Sequence, residues 1–167
     1  MTELVTPRLR LRRARESDLE PIHAVLSHPA AMRYWSTPPH TDIAQTRDWL
    51  SGMIAGPPGL SDDFVVVFEG RVIGKAGCWR LPDVGYILHP DCWGQGLATE
   101  ALSAVIGHVF ATRPVEALKA DVDPRNESSL KLLSRLGFAE THRAARTWLV
   151  GEEWCDSVYL ALPRPRG

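Results

Sequence analysis

Apolar residues return along this chain at two periods, and each switch between them marks a new element. Leu9 and Leu11 alternate with Arg8, Arg10 and Arg12, the period of two that marks a half-buried strand. Ser17-Asp18-Leu19-Glu20 then has capping-box spacing ahead of Ile22, His23, Val25 and Leu26, which predicts a first helix. Asp42 to Ala55 reads as a second, with Ile43, Trp49, Leu50 and Met53 as its buried stripe. Phe64 to Phe68 and Val72 to Cys78 flank the turn Glu69-Gly70-Arg71 and predict a hairpin, and Val84 to Leu88 a further strand. Helical spacing resumes at Ala98, Leu102, Val105, Ile106 and Val109 within Leu97 to Phe110. Ala117 to Val122 is strand-like, and Ser128 to Leu136 is a helix ended by Gly137. Phe138 onwards and Ser157 to Leu162 supply closing strands. One strand, helix, strand crossover within a set of hairpins implies an α/β (α+β) fold. Its central sheet is mixed but mostly antiparallel, of about seven strands flanked by about four helices.

The run DVGYILHPDCWGQGLATEAL, Asp83 to Leu102, carries the chemistry. A strand passes through a loop with glycines at 94 and 96 into a helix, whose first amides suit the phosphates of a nucleotide-like cofactor. A P-loop would place Lys and Ser or Thr after its last glycine, whereas Leu97 and Ala98 follow Gly96, which argues against ATP and GTP. A dinucleotide fingerprint would need a small residue where Thr99 stands and would begin directly after the strand, without the spacer His89 to Trp93.

Composition narrows the class without choosing the reaction. The 167 residues are most simply one domain, with 44% hydrophobic and 23% charged residues and a net charge of -1. Neither a disordered chain nor a basic nucleic-acid surface fits those values, and the Arg cluster at 8, 10, 12, 13 and 15 reads as the solvated face of a strand. No apolar leader or membrane-spanning window is present, so a cytoplasmic location is the expectation, with no membrane partner. Cys78, Cys92 and Cys155 are odd in number and widely spaced, which suits free thiols better than a disulfide or a metal site.

The loop resembles that of the GNAT acyltransferases, whose pyrophosphate loop reads Gln/Arg-x-x-Gly-x-Gly/Ala. The match here is Asp91-x-x-Gly94-x-Gly96, with Asp91 departing from the pattern. The longer string Gly-Tyr, His-Pro, Trp-Gly-x-Gly and Ala-Thr-Glu-Ala-Leu is similar to the branch of the ribosomal-protein N-terminal acetyltransferases RimJ and RimL. So are Thr6-Pro7-Arg8-Leu9-x-Leu11-Arg12 with Asp18, and Asn126-x-x-Ser129 leading to Leu136-Gly137-Phe138. The resemblance spans nearly the whole chain. It implies acetyl-CoA as cofactor without a metal, a primary amine as acceptor, direct attack in a ternary complex, and a homodimer. The acceptor is a protein N-terminal α-amine or a small-molecule amine. The alternative is a non-catalytic acyl-CoA-binding or sensing module on the same scaffold.

By that resemblance Ile87, Leu88 and His89 lie along the pantetheine arm, in a gap between splayed strands, with Asn126 beside it. The stretch Trp93, Gly94, Gln95, Gly96, Leu97, Ala98 and Thr99 holds the pyrophosphate. Where many relatives carry a Tyr as general acid this chain has Leu133, and Ser129, as in the RimL-like branch, serves the thiolate. Ser129, Leu133 and Leu136 share one helix face, which points the hydroxyl inward, although Ser129 also suits a first helical turn behind an Asn126 cap. Asp83, Tyr86 and His89, on or beside the strand nearest the thioester, are the candidate bases, against bland readings as a turn residue, a core residue and a strand end. How much a base matters depends on the acceptor: an α-amine costs roughly 1 kcal/mol to deprotonate at neutral pH, a lysine roughly 4 to 5. The segment Met32 to Thr41 resembles the family's acceptor-side loop, making Tyr34, Trp35 and His40 candidates for the acceptor pocket. Trp148 and Trp154 are either its opposite wall or packed hairpin aromatics. Glu100 reads as a structural hydrogen-bond partner, and Cys92 as an inert residue.

Overall fold

Eight strands in one sheet carry the chain, in the order β1-β2-β3-β4-β5-β6-β8-β7. The computed structural model describes residues 2–166, in which β1 is Glu3–Val5, β2 Leu9–Arg12, β3 Asp62–Phe68, β4 Arg71–Arg80, β5 Asp83–Leu88, β6 Ala117–Val122, β7 Ala139–Val150 and β8 Glu153–Pro163. The helices are α1 Leu19–Leu26, α2 Ile43–Ile54, α3 Leu97–Thr112 and α4 Glu127–Arg135. None of them is long and apolar enough to cross a membrane.

Neighbouring strands pair antiparallel except β5 and β6, which are parallel and meet at a single pair, Asp83 with Lys119. Lys119 N–H donates to Pro82 O at 2.9 Å, and beyond that bond the two strands part. The splay is the feature on which the site depends.

Alternation along the strands sorts side chains onto two faces. Leu11, Phe64, Val66, Ala76, Leu88 and Leu118 pack under α3 and α4 in the larger core. Val65 and Ile87 turn the other way and close a smaller core with Ile22, Val25 and Leu26 of α1. A cleft opens along the strip of sheet formed by β6, β8 and β7.

The eighth strand is the short β1, three residues whose alternation is too brief to register in the sequence. The start of α1 also differs from its predicted cap. Ser17 caps nothing; Asp18, buried behind a 3-10 turn at Glu16–Asp18, accepts from the Arg15 amide and from both Arg12 Nη atoms at 2.8 and 2.9 Å. The Arg cluster is a solvated face only in part. Arg8 pairs with Glu100, Arg10 with Glu3, Arg12 with Asp18 and Arg13 with Asp62; Arg8, Arg10 and Arg15 remain exposed, whereas Arg12 and Arg13 are partly buried.

Asp62, fully buried at the start of β3, is the strongest of these locks. Arg113 binds it through Nε and Nη2, each at 2.7 Å, and Arg13 adds Nη2 at 3.0 Å. Burial alone would raise this carboxyl; the two guanidinium groups outweigh it and hold it below its ordinary value. A depressed folded-state pKa contributes stability above the unfolded value, and that stability is lost as pH falls through the folded value. Asp62→Asn is therefore expected to lower the melting temperature at pH 7 by about 6 to 12 °C, from a loss of about 3 kcal/mol. The gap between variant and parent should shrink as the melts are repeated toward pH 3.

Candidate active site

From the end of β5 the chain makes a 3-10 turn at Pro90–Cys92, then an exposed loop into α3. Gly94 and Gly96 adopt φ of +75° and +76°, a region that L side chains enter at a cost. Gly96 stands at the N-cap of α3 with no side-chain cap, so the first-turn amides at Leu97, Ala98 and Thr99 keep no side-chain acceptor at that cap. A Cβ at Gly94 would meet nothing within 4 Å, so the space before those donors is open. Unspent amides at the positive end of a sixteen-residue helix make a cradle for a diphosphate.

The loop is fastened from behind. Arg8 Nη1 donates to Gln95 O at 2.7 Å and its Nε to Glu100 Oε1 at 2.8 Å, while Glu100 Oε2 accepts from Thr6 and from the Arg8 amide. Trp93 donates its indole N–H to Leu88 O at 3.0 Å, leaving its ring half exposed. His89 accepts from the Asp91 amide through Nδ1. Its own amide donates to Ile73 O at 2.7 Å, so that N–H is committed to β4. Ile87 and Leu88 bury their side chains in the two opposite cores and pair with Lys75 and Gly74.

Between β5 and β6 the splay leaves a narrow gap of about 100 Å³, lined among others by Tyr86, Val122, Asn126, Ser129 and Leu133. Asn126 caps α4 by accepting from the Ser129 amide at 3.3 Å. Ser129 is buried, and the Tyr86 hydroxyl reaches across from β5 to donate to its Oγ at 2.9 Å. That direction leaves the Ser129 proton free for another acceptor. Burial raises the Tyr86 hydroxyl above its ordinary value, with the Ser129 hydrogen bond acting the other way, so it stays protonated at neutral pH.

The open face of the sheet carries a much larger cleft, about 1170 Å³, walled by α2, the segment after α1 and the β7–β8 hairpin. Tyr34 and Trp35 line both cavities, as do Val84, Gly85, Ala120 and Asp121. Gap and cleft therefore join where β5 and β6 separate. Asp83 lines the cleft, and burial raises its carboxyl despite the opposing charge of Lys119. His40 is not brought to either cavity: its Nδ1 lies 2.7 Å from Thr46 Oγ1, and the amide donates to Leu26 O, so it ties the loop to α1 and α2. Trp148 lines the cleft and Trp154 does not.

Sequence reasoning missed Asp121, whose Oδ2 accepts the Trp148 indole N–H at 2.9 Å at the junction of the two cavities. It also missed Arg125, which holds Asp123 and Glu153 and stacks over Tyr34. Asp121 alternates with buried Ala120 and Val122, which marks it as facing away from the main core, but nothing in the sequence says which strands it faces.

The pattern described as an acetyltransferase (GNAT) domain matches residues 8–139. The chain belongs to the GNAT acetyltransferase family. Among curated relatives, an uncharacterized N-acetyltransferase, p20, of Bacillus licheniformis is 31% identical over 148 residues, 83% of each chain. Among solved structures, RimL, a ribosomal L7/L12 α-N-protein acetyltransferase in complex with coenzyme A, superposes with a TM-score of 0.84 at 19% identity, covering 97% of this chain and 98% of that one. A spermidine N-acetyltransferase from Vibrio cholerae in complex with CoA and spermine gives 0.79 at 18% identity, over 95% and 97%. The GNAT fold is thus shared with enzymes whose acceptors differ. Membership makes the chain an acetyl-CoA-dependent N-acetyltransferase, and the open diphosphate cradle before α3 fits that cofactor.

Proposed function

We propose that this N-acetyltransferase passes the acetyl group directly to the α-amine of a peptide or protein N-terminus. The observation that carries this reading is the junction at Val84 and Gly85, where a narrow gap suited to a pantetheine arm meets a wide cleft open to solvent. Two reactants arriving from opposite sides of the sheet meet there without a covalent enzyme intermediate. The cysteines suit no such intermediate either: burial raises the thiols of Cys92 and Cys155, and pushes buried Cys78 up to about 12.

When bound, acetyl-CoA supplies an activated thioester; the rest falls to the chain's own groups. The first-turn amides of α3 hold the diphosphate, and Trp93 to Gly96 shape the loop around it. Asp83, made more basic by burial, draws the proton from an acceptor ammonium already close to neutrality, which costs roughly 1 kcal/mol for an α-amine at pH 7. Ser129 donates its hydroxyl proton toward the departing sulfur, Tyr86 passes its own proton to the serine oxygen, and the proton shed by the attacking nitrogen as the amide forms restores Tyr86 through solvent.

The choice of acceptor rests on size and charge. The cleft is larger than a small amine requires, and its walls include Tyr34, Trp35, Trp49 and Trp148. Its carboxylates are largely engaged: Asp123 and Glu153 by Arg125, Asp63 by Lys75, and Asp156 by the Arg146 amide. A polycation would need free negative charge there. Thiol release from acetyl-CoA, measured against N-terminal peptides, free amino acids, polyamines and aminoglycosides, is expected to be fastest with peptides. A polyamine preference would overturn the acceptor, and bound acetyl-CoA with no release from any amine would overturn the transfer.

A further inference from the structure

Lys75 lies in the middle of β4, flanked in register by Val65 on β3 and Ile87 on β5, both part of the smaller core. Its side chain is only 2% exposed, yet it borders the cleft, and its Nζ sits 2.8 Å from Oδ1 of the nearly buried Asp63. An ion pair in such a place is poor value as a stabiliser, because withdrawing both charges from water commonly costs what their attraction returns. The pair is also incompletely satisfied. Asp63 Oδ1 makes no hydrogen bond of good geometry among the described residues, and an ammonium with three N–H donors meets that one oxygen.

Gly85 shows where the remaining donors can act. A Cβ there would lie 4.0 Å from Lys75 Nζ, so the ammonium stands beneath a residue without a side chain, at the junction between cleft and gap. A cation at that point repels a second ammonium on the acceptor and attracts an oxygen near the reacting nitrogen. We infer that the Lys75 ammonium, held by Asp63 beneath Gly85, receives the oxygen of the carbonyl group bonded to the amine-bearing carbon, and so selects α-amino acyl compounds as acceptors. This rests on the transfer reading above and deepens it. The shared chemistry is an oxygen on the carbon attached to the amine-bearing carbon, carried by a peptide's first carbonyl or by the carboxylate of a free amino acid.

The test compares acceptors with and without that oxygen: an alanyl peptide amide, free alanine, isopropylamine and spermidine, each followed by thiol release. The parent protein is expected to favour one of the two alanyl compounds over isopropylamine and spermidine by 100-fold or more in kcat/KM, and the faster of the two identifies the source. In Lys75→Met combined with Asp63→Leu, which removes both charges and strands neither, the preference over isopropylamine should fall at least tenfold at unchanged KM for acetyl-CoA. Comparing parent with variant cancels the amines' own difference in basicity. An unchanged preference in the folded variant, or a parent that takes isopropylamine or spermidine as well as the alanyl compounds, overturns the inference, and the second outcome does so even if the variant does not fold. No release from any acceptor by a parent that binds acetyl-CoA overturns the transfer reading itself.

Discussion

Ser129→Ala is expected to lower kcat about 100-fold while acetyl-CoA binding stays within a factor of about three. The expectation follows from the direction of one hydrogen bond. Tyr86 donates to Ser129 Oγ, so in the gap between β5 and β6 the serine proton is available to the sulfur that must leave. Alanine removes that donor and strands the Tyr86 hydroxyl, which costs about 1 to 3 kcal/mol in a buried setting and should show as a lower melting temperature. Tyr86→Phe keeps the serine and removes the group behind it, so its effect on kcat should be smaller, about tenfold. Stopped-flow thiol release with separately titrated acetyl-CoA binding decides the matter. A variant that turns over within twofold of the parent would leave Ser129 as a first-turn residue behind the Asn126 cap and nothing more.

Much of this arrangement was legible in the sequence because it rests on short-range rules. The helices carry strong apolar spacing, and the glycines at 94 and 96 stand where positive φ is required, so the loop into α3 could be read directly. Ser129 could be placed on an inward helix face from spacing alone. What could not be read depends on pairings distant in sequence. Tyr86 meets Ser129 across 43 positions, and Trp148 meets Asp121 across 27, over a strand that lies between them in the sheet. The place of His40 could not be read for the same reason: its loop reaches the cleft through Tyr34 and Trp35, but the ring turns back to Thr46. The ion pairs of the Arg-rich strand could not be read either. Alternation correctly turned those side chains away from the core, but their partners on α3, β3 and the turn before α1 are set by tertiary packing.

Gly74 is the other residue whose importance the sequence conceals, and Gly74→Ala is expected to be the most damaging single-methyl change to stability. In a strand, glycine usually reads as a mild weakness. Here an added Cβ would fall 2.0 Å from Ile87 O and 2.9 Å from Leu88 Cα, at a φ of +155°. Both are backbone atoms of β5 and cannot swing aside as a side chain would, so β5 must move, and with it the strand end that leads into the diphosphate loop. A clash of that kind belongs with the exceptional substitutions, above about 4 kcal/mol, which for a chain this size lowers the melting temperature by about 8 to 16 °C. Gly107→Ala in α3 supplies the contrast. Nothing lies within 4 Å of its added Cβ, and a helical position gains about 0.5 to 1 kcal/mol from the same methyl, so its melting temperature should rise slightly. Opposite signs for one chemical change would tie the effect to the close approach of β4 and β5. A Gly74→Ala protein melting within 2 °C of its parent would mean the two strands can part without loss.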